Sequence, residues 1–146
     1  MSLHVRQKAP FRWEGIGVAP YKAEGTHFSG ITRQLLFDGG DGLSCQLRYF
    51  EIEPGGYSSL ERHHHAHAIM VVRGRGRALI GEEIADLATN DLVRIPPLTW
   101  HQFRADGAPL GFLCMVDCAR DVPERPDSAA LTALRADPAI AEFIRS

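Results

Sequence analysis

Residues 61 to 67 read Glu61-Arg62-His63-His64-His65-Ala66-His67, so four of the chain's seven histidines crowd into one short segment. A fifth, His101, follows the pair Pro96-Pro97 farther along. Neutral imidazole is the commonest protein ligand for zinc, iron, nickel and copper, so a cluster with a distant partner points to one divalent first-row ion gripped by two parts of a fold. Backbone geometry limits how the cluster can act. In an extended strand alternate residues share a face about 6.6 Å apart, which lets Glu61 and His63, or His63 and His65, converge on an ion. His63 and His67 would stand about 13 Å apart if extended, too far for donors that each lie about 2.1 Å from a metal. If both bind, the chain must turn between them, and His64-His65-Ala66 is the place, with no β-branched residue to resist it. His64, of opposite parity, reads as a bystander. The alternative, a solvated histidine-rich loop with adventitious metal affinity, is weakened by the second half of the pattern. Asn90 to Phe103 spells a turn, a strand, a proline corner and then a histidine among aromatics.

The elements that must position these side chains are short. Apolar or alternating runs are punctuated by glycine, proline and aspartate, the habit of an antiparallel β-structure. Strands are predicted at 30–37, 44–53, 68–73, 76–80, 92–95, 101–105 and 110–117. Between them lie turn signals at 38–42, Pro54-Gly55-Gly56, Gly74-Arg75-Gly76, Gly81-Glu82-Glu83, Thr89-Asn90-Asp91 and Asp106-Gly107. Strands this short and regularly spaced predict an all-β sandwich or barrel. The first thirty residues read as mostly irregular. After Val122-Pro123-Glu124-Arg125-Pro126 the pattern changes to a capped, alanine-rich helix from Asp127 to Arg135. A second short helix opens at Asp137-Pro138 with Ile140, Phe143 and Ile144 on one face, to be packed on the barrel or on a second subunit.

A chain of 146 residues is the size of one domain and can bury a core without disulfides. The net charge of −2 gives no electrostatic reason to expect nucleic acid or an anionic membrane as partner, and no apolar run is long enough to span a bilayer. Three cysteines, Cys45, Cys114 and Cys118, follow no zinc-ribbon or thioredoxin spacing, and the opening residues lack the apolar run of a signal peptide. The expected compartment is the cytoplasm, with free thiols. Cys114 and Cys118 read as small buried hydrophobes, with a thiol near the metal as the alternative. Tyr49, Glu51, Arg48 and Trp100 are further pocket candidates, and Arg48 and Arg94 could meet a carboxylate, although strand packing or an outward face explains each as well. Arg73, Arg75 and Arg77 read as a solvated hairpin face.

These residues carry a resemblance to the small single-domain cupins. The first cupin motif runs glycine, histidine, one residue, histidine, three or four residues, glutamate, six residues, glycine. Counting back from Gly74 places His67 at the glutamate position, His63 at the second histidine and Glu61 at the first. In the second motif Asn90 takes the glycine position, Pro96 fits, His101 comes two residues late and Ala105 replaces the asparagine. The resemblance covers about residues 44 to 117. It implies one cupin domain over 1–146: a double-stranded β-barrel, or jelly roll, with its core at about 30–118 and a helical extension at about 127–145. It favours Glu61, His63, His67 and His101 as metal ligands over His63, His65 and His67 read directly, with His65 contending against Glu61 for the fourth place. A carboxylate and open coordination positions make iron or manganese sensible, with zinc or nickel as alternatives. The implied function is a metal-dependent enzyme on a small molecule, a dioxygenase by preference or else an isomerase or lyase. A non-catalytic metal or small-ligand sensor, and a barrel with a structural or degenerate site, are the other classes. No helix-turn-helix flanks the barrel, which argues against a fused transcription regulator. The family and the apolar tail also imply a homodimer.

Overall fold

A computed structural model describes residues 2–146. A small hairpin pairs β1 (Gln7–Ala9) with β2 (Arg12–Trp13). The barrel is built from β3 (Ala19–Pro20), β4 (Ser29–Phe37), β5 (Cys45–Tyr57), β6 (His67–Ile80), β7 (Glu83–Ala88), β8 (Leu92–Ile95) and β9 (His101–Asp117). Its strands run antiparallel in the order β3-β4-β5-β9-β6-β7, and β8 joins the free edge of β6 at its N-terminal end. This is the expected jelly roll, and its helical tail is also where the sequence places it.

The core follows from alternation. Ile31 on β4, Phe50 and Ile52 on β5, Ile69 and Val71 on β6, and Phe103, Phe112 and Cys114 on β9 all point inward. Successive strand residues point to opposite faces, so each inward row fixes what its neighbours of the same parity face. The outer face is covered too. Phe11 of the N-terminal hairpin stacks on the fully buried Tyr49 at 5.2 Å. At the other end α1 (Ser128–Arg135) and α2 (Pro138–Phe143) bury Leu134, Ile140, Phe143 and Ile144 against Leu60 and Leu79. Both helices start on the expected aspartates: the Asp127 carboxylate accepts from Ala130 N at 2.8 Å and that of Asp137 from Ala139 N at 2.8 Å. The tail then clamps the strand carrying His101, because Gln102 donates to Arg145 O at 2.7 Å and accepts from Arg145 N at 2.9 Å.

The strand map needs four corrections. Gly74-Arg75-Gly76 is no turn, since β6 passes through it unbroken. Gly74 adopts φ +65° and lies so close to the Pro109 carbonyl that a Cβ has no room, while Arg75 stands opposite an excursion of β9 at Asp106–Pro109. The expected break at Asp106-Gly107 is thus a bulge within one long strand. Strand β5 likewise continues through Pro54-Gly55-Gly56 to Tyr57. Strand β7 was not foreseen, because Glu83-Ile84-Ala85-Asp86-Leu87-Ala88 buries only Leu87 and shows weak alternation. The N-terminal thirty residues are mostly irregular, as expected, with β1, β2 and β3 as short pairings among them. Arg73 and Arg77 consequently sit in a continuous strand, bonded to Glu51 and Asp106.

Candidate metal centre

His67 opens β6 with the parity of Ile69 and Val71, and His101 opens β9 with the parity of Phe103 and Ala105, so both imidazoles enter the barrel. Along the β6–β9 ladder they lie at opposite ends, since Ile80 pairs with His101 and Ala68 with Met115. It is the coiling of the sheet that brings them together. A backbone bridge helps: Glu61 N donates to His101 O at 3.2 Å and His101 N to Glu61 O at 3.0 Å. His63 follows two residues later, and its carbonyl accepts from Leu98 N at 2.7 Å, tying it to the proline corner.

The chain bends at His64 and His65, where the sequence requires it. Asp121 holds the bend, accepting from His64 N at 2.8 Å and His65 N at 3.1 Å. The His64 amide is the leading reason that the Asp121 carboxyl lies well below the usual range. The result is convergence. Ligand atoms of His63, His67 and His101 lie within 4.8 Å of one another, the one such group of three among the described residues.

Tautomers are set by the surroundings. His63 Nδ1 donates to His65 O at 2.6 Å and His101 Nδ1 to Thr99 O at 2.9 Å, which leaves each Nε2 with a free lone pair. His67 Nδ1 lies 2.9 Å from Cys114 Sγ, and its Nε2 lies 2.9 Å from His63 Nε2. At this distance either the neutral His67 carries its proton on Nε2 and donates to His63, with the Cys114 thiol donating to Nδ1, or a metal ion takes both Nε2 lone pairs. Two donors about 2.1 Å from one ion and at right angles stand about 3.0 Å apart, so the spacing fits a metal. Burial pushes all three imidazoles below their ordinary range, His101 down to about 4, with the neighbouring rings adding to the effect at His67. They are therefore neutral near pH 7, as ligation requires.

The remaining predicted ligands share the pocket but stand outside this group. Glu61 is 6% exposed and accepts from Lys22 Nζ at 2.5 Å. His65 stacks on His63 with ring centroids 3.6 Å apart, and its Nδ1 meets Asp121 Oδ1 at 2.8 Å. His64 is exposed. The cavity, about 360 Å³, is further walled by Tyr21, Lys22, Arg33, Arg48, Cys118 and Arg120. Of the other pocket candidates only Arg48 lines it. Tyr49 and Glu51 lie on the opposite face, where the Tyr49 hydroxyl donates to Glu51 at 3.0 Å. Trp100 lies under the Arg62 guanidinium at 4.4 Å, and Arg94 is exposed. Cys114 is buried as expected, but Cys118 is exposed on the pocket wall rather than buried. Arg33 could have been found by its parity with Ile31; Tyr21 and Lys22 lie in a segment without any periodic signal.

The imidazoles make the metal-free protein sensitive to acid. With a folded pKa of about 4 against 6.5, His101 stays neutral while the unfolded chain takes up a proton, so its contribution to stability is full above pH 6.5 and drains away as pH falls toward 4. The loss from this residue is about 3 kcal/mol across that window. Urea unfolding of metal-free protein should show stability declining over that range, with a shallower decline in His101→Gln. An identical pH profile in the variant would contradict the assignment.

Over residues 48–116 the chain matches the family model described as Cupin domain. It is 50% identical over 139 residues to 1-methylthio-D-xylulose 5-phosphate methylsulfurylase of Rhodospirillum rubrum, a match covering 94% of this chain and 88% of that protein. Among solved structures, a cupin 2 conserved barrel domain protein from Rhodopseudomonas palustris superposes with a TM-score of 0.93 at 52% identity, over 98% of this chain and 99% of the other. A cupin-2 domain from Rhodospirillum rubrum gives 0.86 at 51% identity, over 92% and 91%. A cupin 2 domain-containing protein from Halorhodospira halophila gives 0.78 at 43% identity, over 98% and 96%.

Proposed function

The chain belongs to the cupin family, and from that premise we propose that it is a divalent-metal enzyme that cleaves the carbon–sulfur bond of a small phosphorylated methylthio-ketose. The observation that carries the reading is the convergence of three imidazoles, two of which, His63 and His67, line a pocket rich in cationic side chains. The substrate class is the one named for the Rhodospirillum rubrum relative.

His63, His67 and His101 would hold the ion, with Glu61, which lines the same pocket and accepts from Lys22 through one carboxylate oxygen, as the fourth ligand. Three imidazoles and a carboxylate suit manganese or iron, and zinc or nickel can occupy the same donors. Bound there, a divalent ion would supply Lewis-acid polarisation for a ketone beside the methylthio-bearing carbon. The chain's own residues do the rest. The carbonyls of His65 and Thr99 keep His63 and His101 in the tautomer that offers Nε2, and Asp121 keeps the bend that lets His63 reach His67.

Cys118, the exposed thiol on the wall, is the acceptor for the methylsulfur group. Its thiolate attacks the methylthio sulfur, a sulfur–sulfur bond forms, and the carbon–sulfur bond breaks with its electron pair left on the carbon next to the carbonyl. That carbon takes a proton from solvent, giving the 1-deoxy ketose phosphate. An external thiolate then attacks the methylthio sulfur, forming its own mixed methyl disulfide and releasing the Cys118 thiolate. Dioxygen has no part in this sequence, so the reading takes the Lewis-acid branch of the expected chemistries.

The test is turnover. Protein loaded with manganese or iron and supplied with 1-methylthio-D-xylulose 5-phosphate and a thiol should release the 1-deoxy sugar phosphate, and a chelator should stop it. No product with any of the four metals would end the proposal.

A further inference from the structure

We propose that Arg33, Arg48 and Arg120 form an anion subsite that takes the phosphate of a phosphomonoester substrate, an assignment that deepens the reading above and rests on it. Two of the three arginines occupy positions where a strand ordinarily places core residues. Arg33 on β4 shares the inward parity of Ile31, and Arg48 on β5 that of Phe50 and Ile52. In the β4–β5 register Arg33 pairs with Phe50 and Leu35 with Arg48, so the two guanidinium side chains are diagonal neighbours on one face. Arg120 leaves the end of β9 and is anchored beside them, its Nη1 donating to Gln46 Oε1 at 2.9 Å and to Asp117 O at 2.8 Å.

None of the three has a counter-ion. Among the described residues no carboxylate oxygen lies within 4.0 Å of Arg33, Arg48 or Arg120, whereas Arg12, Arg62, Arg73 and Arg77 are all paired. The carboxylates that share the cavity are engaged elsewhere, Glu61 with Lys22 and Asp121 with the amides of His64 and His65. Arg48 is the plainest case. Its Nε is buried without a hydrogen-bond partner, and its other contacts are a bond from Nη2 to Cys114 Sγ at 3.4 Å and the Phe50 ring at 4.9 Å.

An unsatisfied donor on a desolvated cation is unfavourable, and like charges gathered on one wall make it more so. Burial leads the forces holding Arg120 below its ordinary range, with Arg48 and Arg33 adding to it. A multiply charged oxyanion reverses all of these terms at once, because guanidinium forks match phosphate oxygens and the bonds are charge-assisted. The subsite opens on the same cavity as His63 and His67, so one small molecule can present its phosphate to the arginines and its other end to the imidazoles.

The experiment is isothermal titration calorimetry of metal-loaded protein with inorganic phosphate, with D-xylulose 5-phosphate, which lacks the methylthio group, and with acetate at matched ionic strength. Phosphate and the sugar phosphate should bind, acetate at least about tenfold more weakly. Arg33→Gln and Arg120→Gln, at the less buried members, should each raise the Kd of both phosphates by about tenfold or more without changing metal content. Arg48→Gln should do the same if it folds, but the conclusion does not depend on it. Unchanged phosphate binding in both variants, binding lost only on removal of the metal, or acetate binding as well as phosphate would each overturn the assignment. Failure of the two ideas is separable. Arginine-dependent phosphate binding without turnover of the methylthio-ketose removes the proposed reaction and leaves the subsite. Turnover with a KM unmoved by Arg33→Gln and Arg120→Gln removes the subsite and leaves the reaction.

Discussion

Replacing His101 by alanine is expected to lower metal affinity by more than about a hundredfold while the barrel still folds. Loss of an outer partner of a metal ligand alone costs about 10–100-fold, and loss of a ligand costs more. His101 supplies one of the three convergent ring nitrogens found among the described residues, and its Nδ1 is already committed to the Thr99 carbonyl. Its structural work is done by the backbone, through the two bonds to Glu61, and these survive truncation of the side chain. Elemental analysis after dialysis against buffered metal should find about one ion per chain in the parent protein and almost none in the variant. The same measurement ranks the rest of the cluster: Glu61→Gln and His65→Ala should each cost less than His101→Ala, and His64→Ala nothing. Full retention of metal by His101→Ala would mean that the ion sits elsewhere. A larger loss from His65→Ala than from Glu61→Gln would hand the fourth position to His65.

Cys118→Ser is expected to reduce turnover of 1-methylthio-D-xylulose 5-phosphate by at least about a thousandfold, the scale on which loss of a nucleophile is felt, with metal content unchanged. Serine is nearly isosteric, and the backbone bond from Cys118 N to Ser44 O at 2.9 Å does not depend on the side chain. What it removes is a soft, polarisable nucleophile suited to attack at sulfur. Cys45→Ser is the matched control, because Cys45 is half-buried and does not line the cavity. Cys114 would be a poor control, since its sulfur touches His67 Nδ1 and Arg48. Parent protein denatured during turnover should carry one methylthio group on Cys118, seen by peptide mass spectrometry. Wild-type rates in Cys118→Ser would remove the thiol from the mechanism.

The parts of the site legible in the sequence are those with a local cause. His63 and His67 cannot meet in a strand, so a bend at His64-His65 was required and is present. The Pro96-Pro97 corner sets the start of the strand that carries His101, and Asp127 and Asp137 mark their helices through caps that depend on neighbouring residues. Signals that depend on a partner strand misled. Gly74-Arg75-Gly76 has the composition of a turn, yet its glycines answer to the close approach of β9, which no local pattern records. Strand β7 was missed because it is held by pairing with β6 rather than by an apolar row of its own. The pocket wall was the least legible. Tyr21 and Lys22 arrive from an aperiodic segment, while Cys118, Arg120 and Asp121 arrive from beyond the last strand, and only barrel closure puts them beside the histidines. Arg48 was visible as a residue but not as an inward one, because its parity acquires meaning only once Phe50 and Ile52 are known to face the core.

The central claim is that His63, His67 and His101 converge on one catalytic ion. Crystals of manganese- or iron-loaded protein, measured on both sides of the metal's absorption edge, test it most directly. The geometry predicts one anomalous peak per chain, bonded to Nε2 of all three histidines and facing the cavity lined by Arg33, Arg48 and Cys118. A peak on His64, His65 or Asp121 alone, or no peak in protein that binds metal in solution, would contradict it.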